Sequence, residues 1–167
     1  MAQFAEFIDF FPPLDLPVTL LPDIRQIPSD LVPLPSVLQE SYILPFESDE
    51  IDEFTEYVPF GRIAGLKDYH AMIYWKAGVL KYEFILATYS VEGDPLSHAI
   101  VGGLRYEDEG VLHSVSIIHE DMSITIAEGI AETDDAGMDP DQTQTYQMTI
   151  LSSGIITYET NEENKEE

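Results

Sequence analysis

The residues able to do chemistry are few in kind and scattered along the chain. Four histidines, His70, His98, His113 and His119, fall in or beside four separate apolar runs, and none forms a close ligand pair such as His-Glu-x-x-His. His113 and His119 meet Glu120 and Asp121 only if a hairpin folds them together, so half-buried or turn histidines are the simpler expectation. Ser97 with His98, and Ser114 with His113, are neighbours in sequence, but adjacent strand residues point to opposite faces and cannot serve as nucleophile and base. There is no Gly-x-Ser-x-Gly elbow, and Gly102-Gly103 precedes no helix whose amides would cradle a phosphate. That glycine pair reads as a bulge or a close approach of backbone.

Oxygen ligands concentrate in the run Asp134-Asp135-Ala136-Gly137-Met138-Asp139-Pro140-Asp141, which has the composition of a calcium loop without the spacing or terminal Glu of an EF-hand. A solvated loop is its plainer reading. Paired carboxylates of the glycosidase kind have 32 acids to draw on, an abundance that makes no single pair informative. Tyr69, Tyr74 and Trp75 fall close together and are candidates to line a ligand surface, with sheet packing as the competing use. No catalytic residue, metal ligand or cofactor is therefore assigned, and the speculative binding set is Tyr69, Tyr74, Trp75, His113 and His119.

The elements that must position these residues are strands. Beyond residue 56, period-two apolar runs alternate with short turn clusters, which predicts eight strands over 57–66, 69–76, 82–91, 96–106, 111–118, 122–129, 145–151 and 155–159. Turns such as Glu92-Gly93-Asp94-Pro95 and Ser152-Ser153-Gly154 are too short for a parallel crossover, so the fold class is all-β, a mostly antiparallel meander. The run 82–91 is apolar on both alternating sets and is expected to be central and covered twice, whereas 122–129 and 145–151 each keep one wet face. A curled sheet is the simplest closure, with a closed barrel as the alternative.

Nine of the 11 prolines lie at or before Pro59, which predicts an extended, apolar strap over 1–56 packed on the 57–160 meander as one domain. The strap is expected to cap the concave face, with one short helix from Ser36 to Tyr42. Residues 47–56 hold six acids and read as an exposed loop or acidic turn, and the acidic tail 161–167 reads as disordered.

With 44% apolar residues in 167, the chain has enough to build a core. The absence of cysteine excludes disulfides, thiol catalysis and cysteine–zinc sites. A net charge of −25 repels phosphate backbones and anionic lipids, so neither nucleic acid nor membrane is expected as a partner; a basic protein is the partner it would suit, and solubility alone is the plainer reading of the charge. Acids flanking the terminal strands oppose pairing between subunits. Glu6 and Asp9, with no basic residue nearby, are unlike a secretory signal, so the expected location is cytoplasmic, or exported if a signal once preceded this numbering.

Three stretches carry a family resemblance: Phe11-Pro12-Pro13-Leu14-Asp15-Leu16-Pro17-Val18, the hairpin from Thr88 through Gly93 to Leu96, and the runs 117–126 and 146–156 with their Ser-Gly-Ile turn. In these the chain resembles small bacterial β-meander proteins of no assigned activity, some of them exported lipoproteins. The resemblance implies the fold and no chemistry, and the lipoprotein cysteine is missing here. The functional expectation is a non-enzymatic protein-interaction or binding domain. Its alternatives are an immunity or inhibitor protein against a basic toxin, and a small-molecule-binding β domain or an enzyme with an unrecognised site.

Overall fold

Strand alternation after Thr55 builds most of the molecule. A computed structural model describes residues 2–21, 33–47, 55–79, 81–131 and 143–159. The calcium-like run 134–141, most of the acidic run 47–56 and the tail 161–167 lie outside them. The described chain opens with helix α1 (Ala2–Asp9), continues through two short strands, β1 (Pro13–Leu14) and β2 (Val18–Leu20), and reaches α2 (Ser36–Leu38). A π-turn (Gln39–Ile43) and a 3-10 turn (Leu44–Phe46) follow α2. Then come β3 (Glu56–Ile63), β4 (Tyr69–Ala77), β5 (Lys81–Ser90), β6 (Pro95–Glu107), β7 (Gly110–Ile118), β8 (Ser123–Ala131), β9 (Gln144–Ile150) and β10 (Ile156–Glu159).

Strands β3 to β10 pair in chain order, each antiparallel to the next, as the short turns require. The path is open: β10 ends one side and β1, parallel to β3, ends the other, so the sheet curls without closing into a barrel. Two additions come from the strap. Strand β1 is held on β3 by Arg62 N–H to the Pro12 carbonyl at 2.9 Å and Ala64 N–H to the Leu14 carbonyl at 3.0 Å, while β2 pairs antiparallel with β7.

The course of β6 shapes the fold. It pairs with β7 only from Gly103 to Glu107; from Gly102 back to Pro95 it pairs with β5 alone, and β2 takes its place beside β7 at Ser116, Ile117 and Ile118. The break falls on the glycine pair. Gly103 has φ +133°, a left-handed backbone, and a Cβ there would overlap the Tyr82 carbonyl oxygen. The β5 register also slips between Phe84 and Ile85, leaving Val101 as the extra residue of a bulge. With this corner β6 swings across the face of the β7–β10 half-sheet. Val101, Ala99 and Leu86 then pack with Ile118, Ile124, Ile126, Met148, Ile150 and Ile156 in one core. Two ties hold the crossing: Thr88 Oγ1–H donates to the Gly154 carbonyl at 2.6 Å, and Ile156 N–H donates to Ser97 Oγ at 3.2 Å.

The opposite face of β3–β5 has its own core, and here the strap departs from expectation. Only its strand portion, Leu14, Leu16, Val18 and Leu20, joins the inner core; its helical portions cover the other face. Phe4, Phe7 and Phe11 recur at helical spacing along α1 and its exit, and they pack with Leu38, Tyr42 and Ile43 on Tyr57, Tyr74, Ile85 and Tyr89. The Phe7 ring stacks on Tyr42 at 4.7 Å, and Tyr89 O–H donates to the Tyr42 carbonyl at 2.6 Å. Pro12 and Pro13 stop α1. The 82–91 run is thus covered on both faces, with its Phe84 and Leu86 in the inner core and its Ile85, Ala87 and Tyr89 in the core beneath the strap.

Candidate functional site

Because β6 crosses the β7–β10 half-sheet on a diagonal, one part of that face is core and the rest stands clear of it. The clear part meets the edge of β6 in a cleft of about 470 Å³. Its floor is Leu112, Glu128, Tyr146, Met148 and Tyr158, drawn from the four strands β7 to β10 with two residues from β9. They share a face because the register places Glu128 across from Ser114, Tyr146 across from Ile126, and Tyr158 across from Met148. The wall is His98, Ala99, Ile100 and Arg105. Along this wall the Pro95–Gly102 stretch of β6 has no strand on its second edge among the described residues.

The chemistry of the cleft is amphipathic. Ile100 is 44% exposed and Tyr158 61%, while Met148 is buried at the deep end. Glu128 Oε2 accepts from Ser114 O–H and from Tyr146 O–H, both at 3.3 Å, and no Lys, Arg or His of the described residues pairs with it. Burial, then the Glu128 charge, push the Tyr146 phenol up to about 12, so it stays a neutral donor at ordinary pH. Arg105 stands at the mouth with its two amino groups 3.8 Å from Glu83 and from Glu107. The His98 ring leans on Phe46 at 4.8 Å, which fixes the wall to the 3-10 turn.

A second hollow of about 310 Å³ lies beyond Arg105, lined by Lys76, Lys81, Tyr106, Gly78, Val79 and Thr55. Its cations have structural work. Lys76 Nζ donates to Glu47 at 2.7 Å, both largely buried, and Lys81 and Arg105 flank the buried Glu83 at 3.6 and 3.8 Å.

None of the five residues proposed from sequence for binding lines the cleft, although His98 is in its wall. Tyr74 and Trp75 are buried on opposite faces, Tyr74 in the strap-covered core and Trp75 in the inner core with Tyr69. They cannot form one ligand surface. Trp75 stacks on Tyr82 at 5.9 Å and meets Phe84 at 4.4 Å, which is packing. His113 is buried, and His119 lies six residues on, about 20 Å away at strand rise. The His119 ring bonds Thr125 Oγ1 at 2.8 Å, and Asp121 Oδ1 accepts from Ser123 N–H at 3.0 Å, so the β7–β8 turn satisfies itself. Among the described residues no three His, Asp or Glu are grouped to hold a metal ion. Likewise, no described helix is long and apolar enough to cross a membrane.

Comparison with family models, with curated proteins and with solved structures finds no match to this chain.

Proposed function

We propose that this chain is a non-enzymatic binding domain for another protein, and that the cleft between β6 and the β7–β10 half-sheet is where the partner docks. The observation that carries this reading is the cleft's composition: exposed Ile100 and Tyr158 and, among the described residues, an open strand edge and a carboxylate without a basic partner, all on strands of one sheet. Exposed aromatic and aliphatic groups around a few fixed polar ones are the make-up of binding surfaces. The net charge of −25 favours a basic partner, since complementary charge speeds and orients encounter. An acidic immunity or inhibitor protein covering a basic toxin is one form this takes. A second reading, a small-molecule site, has the cleft volume in its favour, which falls within the usual range for ligand pockets.

The test is site-specific photocrosslinking in the native host, with the crosslinker at Tyr158 or Ile100 and, as control, at the exposed Val37 far along the chain. The reading expects one protein captured from the cleft positions, lost at high salt and absent from Val37. Equal capture from all three positions, or none from the cleft, would count against it.

A further inference from the structure

The cleft also points to what its occupant must carry. Glu128 reaches the floor with one oxygen, Oε2, held by the two hydroxyl groups of Ser114 and Tyr146, each at the long distance of 3.3 Å. Neither donor is charged, and no cation of the described residues pairs with the carboxylate. Tyr146 stands beside it, and Leu112, Met148 and Tyr158 line the same cleft, Tyr158 across from Met148 on β10. A carboxylate beside a phenol, in a cleft lined by aliphatic and aromatic groups, is complementary to a long side chain with an apolar stem and a cationic head. Arg105, at the mouth of the cleft, has one amino group near Glu83, which it shares with Lys81, and the other near Glu107. The wall adds shape to charge. It is the edge of β6 at His98, Ala99 and Ile100 that no other described residue pairs, and it offers backbone groups to a chain lying beside it.

We infer that the occupant is an extended segment of a basic protein, lying along this edge of β6 and placing a lysine or arginine side chain on Glu128 beside Tyr146. This rests on the proposed binding function and adds the mode of recognition to it. The probes are capped pentapeptides of alternating Val and Thr whose central residue is Arg, Lys, Gln or Glu, titrated at millimolar concentration into the full chain and followed by backbone amide NMR. The Arg and Lys peptides are expected to shift the amides of His98, Ile100, Arg105, Glu128, Tyr146 and Tyr158, and to bind at least about tenfold more tightly than the Gln peptide. In E128Q that preference disappears while the spectrum elsewhere is unchanged, which separates loss of the site from loss of the fold. Equal binding of the Arg and Gln peptides, shifts outside the cleft, or no shifts with any of the four overturns the inference. So does n-butylguanidinium binding as well as the Arg peptide, which would mark a small-cation site. If the crosslinkers at Tyr158 and Ile100 still capture a protein in any of these cases, the binding function stands and only this mode of recognition fails.

Discussion

Two adjacent glycines should respond to alanine in opposite ways, and the difference measures how sharply β6 turns. At Gly103 the backbone has φ +133°, and an added methyl would overlap the Tyr82 carbonyl oxygen and sit 2.9 Å from Glu83 Cα. Both obstacles belong to the backbone of β5, which is fixed by pairing on both of its edges. The strained conformation alone costs about 1–3 kcal/mol, and relieving the overlap requires a strand to move, so G103A should lose more than about 3 kcal/mol. At Gly102 the nearest atoms to an added methyl are the Ser114 carbonyl oxygen at 3.4 Å and Phe84 Cδ2 at 3.5 Å, which is ordinary contact. There alanine reduces the freedom of the unfolded chain, so G102A should lie within about 1 kcal/mol of the parent. For a chain of this size the two variants should melt roughly 6–12 °C apart, measured by thermal unfolding followed by circular dichroism. If G103A is no less stable than G102A, the corner is not where the structure places it.

Removing the ring of Phe7, which is fully buried against Tyr42 and Phe11, should cost about 3–5 kcal/mol in a denaturant titration, and a loss under 1 would mean that α1 is not docked on the sheet. In E47Q the largely buried Lys76 loses its 2.7 Å partner; about 2 kcal/mol should be lost, less than for a fully buried pair, and a double-mutant cycle with K76M should return most of it. The Tyr146 phenol should titrate near 12 in the folded protein against 10.0 in the unfolded chain. Its raised pKa means that the unfolded state gives up the proton first, so its contribution to stability is whole below pH 10.0 and is lost as the pH rises through about 12. Phenolate absorbance of the parent against Y146F checks this, and a difference step near 10 in the folded protein would contradict it.

The strand core was legible in the sequence because it depends on local signals. Alternation from Tyr82 to Val91 locates β5, observed as Lys81–Ser90, and the Gly-Asp-Pro and Ser-Ser-Gly turns set the antiparallel order. The pair Gly102-Gly103 marked a bulge or close approach, and it is both. Helix α1 was missed although Phe4, Phe7 and Phe11 stand at helical spacing, because the prolines from Pro12 onward set the reading for the whole strap. The face that the strap covers was also beyond reach, since two apolar faces of one sheet look alike until chain connectivity chooses between them. Tyr74 and Trp75 drew notice as neighbours in sequence, and that same adjacency sends them to opposite cores. The cleft had no local signal at all. Arg105, Glu128, Tyr146 and Tyr158 come from four strands, and they converge only through the accumulated register and the departure of β6 from β7.

Everything proposed for the cleft depends on that departure, and cross-strand backbone NOEs measure it directly. Contacts are expected between Leu104 and His113 and between Thr19 and Ile117, with none of the ladder type between Ala99 and Ile118. A continuous β6–β7 ladder reaching Ala99 and Ile118, with β2 unpaired, would close the cleft and contradict the account.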